Sequence, residues 1–433
     1  MSVAIARKHR LRTRITCPHC WQTTPPESVL WISSHPTLLG DPRLGPSAQQ
    51  RFLPERFTAT GEALDSRGQR CQKLACPHCH LTIPWAAVEL EPIFISILGA
   101  PSSGKSVFLG AMTSALRNSL YRDFHVSFSD ADPELNAQVL EYENQLQSME
   151  SPNLEAPTAF NAKIQKTQVD AFVNLVRMDL GGEEVALPSP FVFTLQPGAG
   201  HFLEHKSLPP GRMLCLYDNG GEAFEPGRDS VKSQMTRHLG QAQALLIVID
   251  PTQDQRFQKA MKSANCDLRH CMATKRQETY IQEAFRRIQE FSGMRQGDKF
   301  RPPVIVIVNK YDCWHRLLPN VSKMDPLRRT SDGFAGLLVE AISQVSNECK
   351  QLLETHCPDI VNAIVSRAAD VTFVPVSAAG MNTVIDDSTG SPALPPGAEP
   401  DRFWVTIPFL MGLHRVAPKL IPSLKAKQPA PRS

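Results

Sequence analysis

Residues 93–106 read Ile93-Phe94-Ile95-Ser96-Ile97-Leu98-Gly99-Ala100-Pro101-Ser102-Ser103-Gly104-Lys105-Ser106. Five of the first six residues are apolar, which is typical of a strand buried on both faces of a parallel sheet. Residues 99–106 fit the pattern G-x-x-x-x-G-K-[ST], whose backbone N–H groups surround a phosphate. Residues 107–120 predict a helix with its positive end toward that phosphate. A chance match would need neither strand nor helix, so the stretch predicts a nucleotide phosphate site.

Within this stretch, the backbone and side chains of the loop are the candidate nucleotide ligands. The Lys105 ammonium suits the β- and γ-phosphates, and the Ser106 hydroxyl is an oxygen ligand of the kind that Mg²⁺ prefers. We therefore assign nucleotide binding to Gly99, Ser102, Ser103, Gly104, Lys105, Ser106 and Val107.

The composition excludes several classes of protein. The chain has 433 residues, 42% of them hydrophobic and 21% charged, as in an ordinary soluble globular protein of two or three domains. A net charge of +3 does not by itself indicate nucleic-acid or membrane binding, and no apolar run is long enough to span a membrane. The basic residues 7–14 lack the apolar run of a secretory signal, and the 11 cysteines then favour a reducing compartment, the cytoplasm.

Two near-identical motifs, Cys17-Pro18-His19-Cys20 and Cys76-Pro77-His78-Cys79, precede the phosphate loop. Two C-x-x-C turns can bring four thiolates together, which is the tetrahedral ligand set that Zn²⁺ prefers. We predict a closed structural zinc site formed by Cys17, Cys20, Cys76 and Cys79. The wide separation of the motifs makes residues 21–75 an inserted excursion with strands or a hairpin of its own.

Three alternatives remain for the cysteines. A thioredoxin-like redox pair would lie at a strand–helix junction, which two copies flanked by loops do not resemble. The cysteines could be unligated structural residues. Other side chains could also replace one thiolate as a ligand: Cys71, His19, His35, His78 and His80.

Two strands downstream of the phosphate loop end in an aspartate. Residues 212–217 form an apolar strand followed by Asp218-Asn219-Gly220-Gly221-Glu222, and residues 244–249 form a second followed by Asp250-Pro251-Thr252. A γ-phosphate site needs a carboxylate for the Mg²⁺ shell and a glycine N–H that can approach the phosphate. Only the first aspartate has that glycine. We therefore assign Mg²⁺ to Asp218 and Ser106, and the γ-phosphate contact to Gly221.

The next strand, residues 303–308, ends in Asn309-Lys310-Tyr311-Asp312. The Asp312 carboxylate can accept hydrogen bonds from N1–H and the exocyclic amine of guanine, two donors that adenine does not present together. Asn309 can brace the loop and the stem of Lys310 can cover the ring. A last strand, residues 371–376, leads to Ser377 and Ala378, whose N–H groups can meet the guanine carbonyl. The pattern therefore predicts a guanine nucleotide.

In chain order, the motifs GAPSSGKS, DNGGE, NKYD and SA resemble those of the translation-factor-related (TRAFAC) class of P-loop GTPases. The likeness covers residues 92–416, and with the Cys-Pro-His-Cys pair it is closest to bacterial double-GTPase (DO-GTPase type 2) domain proteins with an N-terminal zinc ribbon. The resemblance implies an α/β fold, a Ras-like P-loop NTPase three-layer sandwich with long insertions. It also implies Mg²⁺-dependent GTP hydrolysis as a switch, a protein effector or activator, and a role in a bacterial conflict or signalling system.

The chain departs from that class in three respects. The motif spacings are long, and Glu222 stands where Ras-like enzymes place a water-orienting Gln. The switch threonine has no recognisable context, with Thr158, Thr167 and Thr194 as candidates. We therefore assign catalysis to Lys105 and Glu222 but expect slow turnover without a partner. Two other functions stay open: a nucleotide-binding scaffold without hydrolysis, and a nucleic-acid module that uses the zinc knuckles and the basic N-terminal arm.

These patterns divide the chain into a zinc-ribbon-like domain (1–90), a GTPase domain (91–417, with an insertion at about 121–210) and a basic disordered tail (418–433). Within the insertion, residues 134–149 and 162–178 are predicted as helices and residues 191–195 as an edge strand. Residues 401–413 are predicted to pack on the sheet, with a kink or break at Pro408.

Overall fold

The computed structural model describes residues 11–149, 158–159, 175–179, 184–219, 224, 237–266, 268, 276–385, 392–395 and 398–425. Within these ranges, no helix is long and apolar enough to cross a membrane.

The N-terminal part is built from short strands and one short helix. Its elements are β1 (Ile15–Thr16), β2 (Thr23–Thr24), β3 (Leu30–Ile32), β4 (Leu39–Asp41), β5 (Gly45–Gln49), β6 (Arg51–Phe52), β7 (Leu74–Ala75), β8 (Thr82–Ile83) and helix α1 (Ala86–Glu89). Strands β1 and β2 pair with each other, β4 and β5 form a hairpin, and the order β6-β3-β7-β8 forms a four-stranded sheet. The prediction that the excursion has strands of its own is confirmed.

The remaining described chain is a mixture of strands and helices. The strands are β9 (Glu91–Gly99), β10 (Val126–Asp130), β11 (Thr158–Ala159), β12 (Leu175–Asp179), β13 (Glu184–Pro188), β14 (Phe191–Pro197), β15 (Arg212–Asp218), β16 (Ala244–Ile249), β17 (Val304–Val308), β18 (Leu327–Arg329), β19 (Ala335–Leu337), β20 (Val371–Pro375), β21 (Val384–Ile385) and β22 (Pro392–Leu394). The helices are α2 (Lys105–Phe124), α3 (Ala137–Met149), α4 (Gln255–Ser263), α5 (Gln277–Ser292), α6 (Tyr311–Trp314), α7 (Val339–His356), α8 (Pro358–Val365) and α9 (Ile407–Val416).

A seven-stranded sheet forms the centre of the molecule, in the order β10-β14-β15-β9-β16-β17-β20. Strands β15, β9, β16, β17 and β20 are parallel, whereas β14 runs antiparallel to both of its neighbours. The predicted strands at 93–98, 212–217, 244–249, 303–308 and 371–376 are confirmed as the five parallel strands. Their continuous apolar runs agree with burial on both faces of the sheet.

The two faces of β15 and β9 have different coverings. Leu214 and Leu216 belong to the main hydrophobic core, whereas Cys215 and Tyr217 pack in a second core with the N-terminal part. Side chains alternate between faces along a strand, so the N-terminal part occupies the layer over one side of β15. That layer brings the cysteine motifs against the strand that ends in Asp218.

The structure corrects two predictions in the insertion. Residues 191–195 lie in β14 inside the sheet, because β10 forms the edge beyond them and is held by a bidentate ion pair from Arg117 on α2 to Asp130 (2.8 and 2.9 Å). Residues 175–178 lie in β12, which pairs with β13 as a hairpin, so the helix predicted at 162–178 is wrong there. Residues 162–174 lie outside the described part. The helix predicted at 134–149 is confirmed as α3.

The C-terminal segment differs from its prediction at two points. Helix α9 packs on β16 and β17, as predicted for residues 401–413. However, Pro408 lies in the first turn of α9, where its missing N–H costs nothing, so there is no kink. Residues 418–425 are not a disordered tail, because Leu420 and Ile421 are buried and Leu337 N donates to Pro422 O (2.9 Å). Residues 426–433 lie outside the described ranges.

Helix α2 packs closely against α3 at Gly110. A Cβ built on Gly110 would lie 3.0 Å from Leu146 Cδ1 and 3.0 Å from Tyr142 Cβ. We expect Gly110→Val to lower the free energy of unfolding by about 1–3 kcal/mol through overpacking, measured by urea denaturation. Asn118→Val places the same β-branched residue at an exposed position of the same helix and serves as the control. Equal stability of the two variants would contradict the close packing.

Candidate nucleotide site and candidate metal centre

The phosphate loop lies at the carboxyl end of β9, where the strand order changes direction. The chain reaches β15 on one side of β9 and β16 on the other. In open α/β sheets, ligands bind in the crevice at such a switch point. Helix α2, 20 residues long, begins at Lys105 and points its N-terminus into this crevice, which favours negative charge.

At two positions of the loop, neighbouring atoms lie so close to the backbone that only glycine fits. A Cβ on Gly99 would lie 2.7 Å from Ser103 Oγ and 2.8 Å from Val248 O. Gly104 has a φ of +83°, and a Cβ there would lie 2.4 Å from Asn309 Nδ2. Neither position admits a larger residue, so the loop keeps the tight curvature in which successive N–H groups converge.

Ser103 supplies a test of whether this loop suits a phosphate. Its side chain is 1% exposed, and among the described residues its Oγ has no hydrogen-bond partner. A buried hydroxyl without a partner carries a free-energy cost, which an oxygen-rich ligand in the loop would relieve. The orphaned hydroxyl and the glycine-lined loop therefore fit a phosphate. Ser102 lies beside it in the left-handed region (φ +63°), and Val107 packs half-buried against the main core.

Lys105 forms an ion pair with Asp218, the residue that ends β15. Both side chains are 7% exposed, so the pair lies in the floor of the crevice. Asn219 anchors the end of the strand, because its backbone N–H and its Nδ2 both donate to Ile97 O (3.2 and 2.9 Å). The Asp218 carboxylate and the Ser106 hydroxyl are oxygen donors of the kind that suits Mg²⁺. Gly221 and Glu222 lie outside the described residues.

Asp250, the competing aspartate, has a different role. Its carboxylate accepts hydrogen bonds from Thr252 N (3.0 Å), Thr252 Oγ1 (2.6 Å) and Gln253 Nε2 (3.2 Å), and it forms an ion pair with Lys310 Nζ (2.5 Å). The side chain is fully buried. Gln277 also bonds both backbone polar groups of Asp250 (2.9 and 2.7 Å). Asp250 therefore holds the Lys310 side chain in place, a role that its local sequence does not predict.

Asn309 connects the end of β17 to the phosphate loop. Its Nδ2 donates to Ser103 O (2.9 Å), and its backbone N–H donates to Ile249 O (2.9 Å). Trp314 Nε1 donates to Asn309 O (2.9 Å), which fixes the same residue from the other side. Gln253 Nε2 makes a second tie to the loop at Ser102 O (3.1 Å). The motif at 309–312 and the loop at 99–106 thus belong to one site.

Asp312 and Ser377 meet at the ends of β17 and β20. Ser377 Oγ donates to Asp312 Oδ1 (2.6 Å), and Gly380 N donates to Ser377 Oγ (3.0 Å). Burial raises the pKa of Asp312, and the Ser377 hydrogen bond opposes that rise. Burial alone would lower the pKa of Lys310, but the charge and hydrogen bond of Asp250, together with the nearby Cys313 and Asp312, raise the pKa of Lys310 overall. Ala378 is buried beside Ser377.

Two of the threonine candidates lie in described β-strands. Thr158 pairs with Leu394 in a small separate sheet, and Thr194 Oγ1 contacts Ser129 O (3.5 Å) within the central sheet. No contact among the described residues joins Thr194 to the phosphate loop. Thr167 lies outside the described ranges.

The four predicted zinc ligands form one cluster. The sulfur atoms of Cys17, Cys20, Cys76 and Cys79 all lie within 4.8 Å of one another, and the Cys17–Cys79 and Cys20–Cys76 sulfur distances are both 3.7 Å. Sulfurs at about 2.3 Å from a tetrahedral zinc are separated by roughly 3.8 Å. The donor set and its spacing therefore fit Zn²⁺.

The two halves of the cluster have the same backbone geometry. Trp21 N donates to Cys17 O (3.0 Å), and His80 N donates to Cys76 O (2.9 Å). Trp21 and His80, which follow the second cysteine of each motif, both adopt left-handed backbone (φ 57° and 60°). Backbone N–H groups of His19 and His78 point to sulfur (3.4 and 3.3 Å). This repeated turn presents each pair of sulfurs in the same way.

The alternative ligands are engaged elsewhere. The ring nitrogens of His19 lie 3.3 Å from Pro188 O and 3.0 Å from Thr82 O. His80 Nδ1 contacts Asp41 Oδ2 (2.8 Å), and His35 Nδ1 contacts Thr37 Oγ1 (2.8 Å). Cys71 is buried, with its sulfur 3.7 Å from Gln69 O. Neither these residues nor His78 belong to the cluster, which consists of cysteines alone.

Replacing one cluster cysteine tests the metal centre. We expect Cys76→Ser to lower the bound zinc, measured by atomic emission on the purified protein, and to lower the midpoint of thermal unfolding, because metal binding stabilises only the folded turns. Cys71→Ser is the matched control, since Cys71 is equally buried (1%) but lies outside the cluster. Equal zinc content in the two variants would contradict the assignment.

Three solved structures show a remote likeness to the chain. One is Sup35 complexed with GMPPNP, which is 11% identical over 67% of this chain and 38% of that chain, with a TM-score of 0.23. Another is the S. cerevisiae Ski7 GTPase-like domain bound to GTP, 14% identical over 76% and 51%, with a TM-score of 0.27. The third is the same domain bound to GDP and inorganic phosphate, 12% identical over 75% and 50%, with a TM-score of 0.27.

The chain thus matches 38–51% of the length of those chains, and at these TM-scores the likeness carries no argument about fold or function. No protein-family model matches the sequence, and no curated protein is significantly similar to it.

Proposed function

We propose that this chain binds a guanine nucleotide and hydrolyses GTP slowly, as a molecular switch. The observation that carries the proposal is the hydrogen bond from Asn309 Nδ2 to Ser103 O, because it joins the base motif to the phosphate loop in one crevice. One nucleotide could therefore place its base at Asp312 and its phosphates at residues 99–106. The Ser377 hydroxyl donates a hydrogen bond to the Asp312 carboxylate and holds it in place for the base.

Each end of the crevice would bind one part of the nucleotide. Lys105 and the N-terminus of α2 attract the phosphates, with Ser102, Ser103 and Ser106 in the loop around them. Asp312 accepts from the donors of guanine, Ala378 presents its N–H to the guanine carbonyl, and the Lys310 stem covers the ring. The Asp250 carboxylate fixes Lys310 for this contact.

The phosphate end also suits a divalent cation. Mg²⁺, when bound, would neutralise phosphate charge during transfer. Asp218 and Ser106 are the oxygen donors that we assign to it, with Gly221 at the γ-phosphate and Glu222 beside the attacking water. A carboxylate at 222 adds negative charge near the phosphate, so the expected turnover is slow without a protein activator.

The strand order supports the finer fold assignment. The phosphate-loop strand β9 lies between the strand that ends in Asp218 and the strand that ends in Asp250, and β14 is the antiparallel neighbour of β15. We propose a Ras-like sheet of the translation-factor-related class, with the cysteine cluster as an attached zinc module. The likeness to bacterial DO-GTPase proteins would place this switch in a multi-protein system.

Base selectivity is the sharpest test of the binding site. We expect calorimetry with Mg²⁺ to show GDP binding at least about tenfold tighter than ADP, and Asp312→Asn to remove most of that preference, because one amide cannot accept from both donors of guanine. Asp325→Asn is the control, because Asp325 is an exposed loop residue whose carboxylate accepts from Leu327 N. Equal affinity of the native protein for GDP and ADP would overturn the guanine assignment.

Hydrolysis is tested separately from binding. We expect slow multiple-turnover GTP hydrolysis that Lys105→Ala reduces at least about a hundredfold, because a positioned cation at the transferring phosphate is lost. Released phosphate is the measured quantity, and Lys259→Ala, on the surface helix α4, is the control. Turnover that survives in Lys105→Ala would indicate a contaminating enzyme or a different site. Binding without any turnover would leave a nucleotide-dependent scaffold instead.

A further inference from the structure

Tyr217 immediately precedes Asp218 on β15, and its side chain points to the face covered by the N-terminal part. The ring is 1% exposed and packs in the second core with Cys17, Cys76 and Cys79. Because consecutive residues of a strand share one rigid backbone, a displacement of Tyr217 also displaces Asp218. Contacts that hold the Tyr217 phenol therefore also help to hold Asp218, the candidate magnesium ligand.

The first cysteine turn holds that phenol by two hydrogen bonds. Tyr217 Oη donates to Pro18 O (2.5 Å), and Trp21 Nε1 donates to Tyr217 Oη (3.0 Å). Pro18 lies between the two cysteines of the turn, and Trp21 directly follows the second. A buried phenol that loses these partners would be left unsatisfied, which makes the contact specific to the folded turn.

Aromatic packing reinforces the same point from other elements. The His238 ring stacks on Tyr217 (4.6 Å between centroids, 20° between planes) and lies 6.2 Å from Trp21. Phe94, on the phosphate-loop strand β9, lies 6.3 Å from Tyr217. The phenol is thus held between the metal turn, the strand of the phosphate loop and the segment at 237–241.

From these contacts we propose that Trp21 and Tyr217 are positioning residues through which the metal-loaded cysteine cluster sets the place of Asp218. The inference rests on the proposed nucleotide function. A metal ion bound by all four sulfurs would join the two turns, and metal binding of this kind is coupled to folding, so the turn at 17–21 is held most firmly when metal is bound. Loss of the metal releases Pro18 and Trp21 from the phenol, and the end of β15 is then less firmly held. Zinc loading would thereby control how well the site retains Mg²⁺ and nucleotide.

The test compares the full-length protein with Trp21→Phe and Tyr217→Phe, which remove one hydrogen-bonding group each and keep a ring. The control is Trp85→Phe, because Trp85 lies in the same N-terminal part but donates to Gln72 O (2.8 Å) and not to the phenol. For each protein, GDP binding is measured by calorimetry over a series of Mg²⁺ concentrations and again in EDTA. Zinc content and thermal unfolding are measured in parallel.

We expect Trp21→Phe and Tyr217→Phe to need roughly three- to tenfold more Mg²⁺ for half-maximal GDP binding, the effect of about one hydrogen bond. Their zinc content and their affinity for GDP in EDTA should equal those of the native protein, and Trp85→Phe should match the native protein throughout. A general loss of structure would instead weaken binding in EDTA as well.

Two results would overturn the inference. One is a Mg²⁺ requirement in both variants equal to that of Trp85→Phe. The other comes from the native protein and keeps the test valid if the variants fold poorly. After zinc is removed with a chelator that does not bind Mg²⁺, the Mg²⁺ concentration for half-maximal GDP binding should rise, and it should fall again when zinc is added. An unchanged Mg²⁺ requirement would contradict the coupling. If the native protein binds no GDP at any Mg²⁺ concentration, the proposed function fails as well.

Discussion

The hydrogen bond from the Asn309 amide to the Ser103 carbonyl is the contact on which the rest of the candidate site depends. It crosses from the end of β17 to the loop after β9, past the intervening strand β16, and it needs the absence of a side chain at Gly104 to do so. Because the same residue is held by Ile249 and Trp314, the loop is tied to a rigid point of the sheet. The glycine-rich loop is thereby held in one shape by the sheet itself.

A second constraint is that the sheet is apolar on both faces and must be covered on both. Helices such as α9 cover part of it, but over β15 the cover is the cysteine-containing N-terminal part, whose buried side chains share one core with Met213, Cys215 and Tyr217. Short strands of two or three residues do not stabilise themselves. Packing on β15 therefore stabilises the N-terminal part, and a metal ion at the four cysteines would add to that stability.

Much of the sheet and of the site could be predicted from the sequence. The five parallel strands are continuous apolar runs, and the phosphate loop, the motif at 309–312 and the cysteine turns are short segments whose residue spacing predicts their chemistry. The rest depends on contacts between distant residues. Asp250 resembled a magnesium ligand because a strand ending in aspartate has that local pattern, and only its neighbours Thr252 and Lys310 show that it is a brace. Trp21 and Tyr217 are 196 residues apart in the sequence. Strand β10 joins the edge of the sheet through its pairing with β14 and the ion pair from Arg117 to Asp130.

The ion pair between Lys105 and Asp218 places a counter-charge for the ammonium inside the crevice itself. Under the proposed function, a phosphate that binds the Lys105 ammonium would separate it from the Asp218 carboxylate, which could then bind a cation that accompanies the phosphate. A phosphate without a cation would leave a naked carboxylate beside its own negative charge. Under the proposed function, a phosphate and a cation that enter together would leave neither the ammonium nor the carboxylate without a counter-charge.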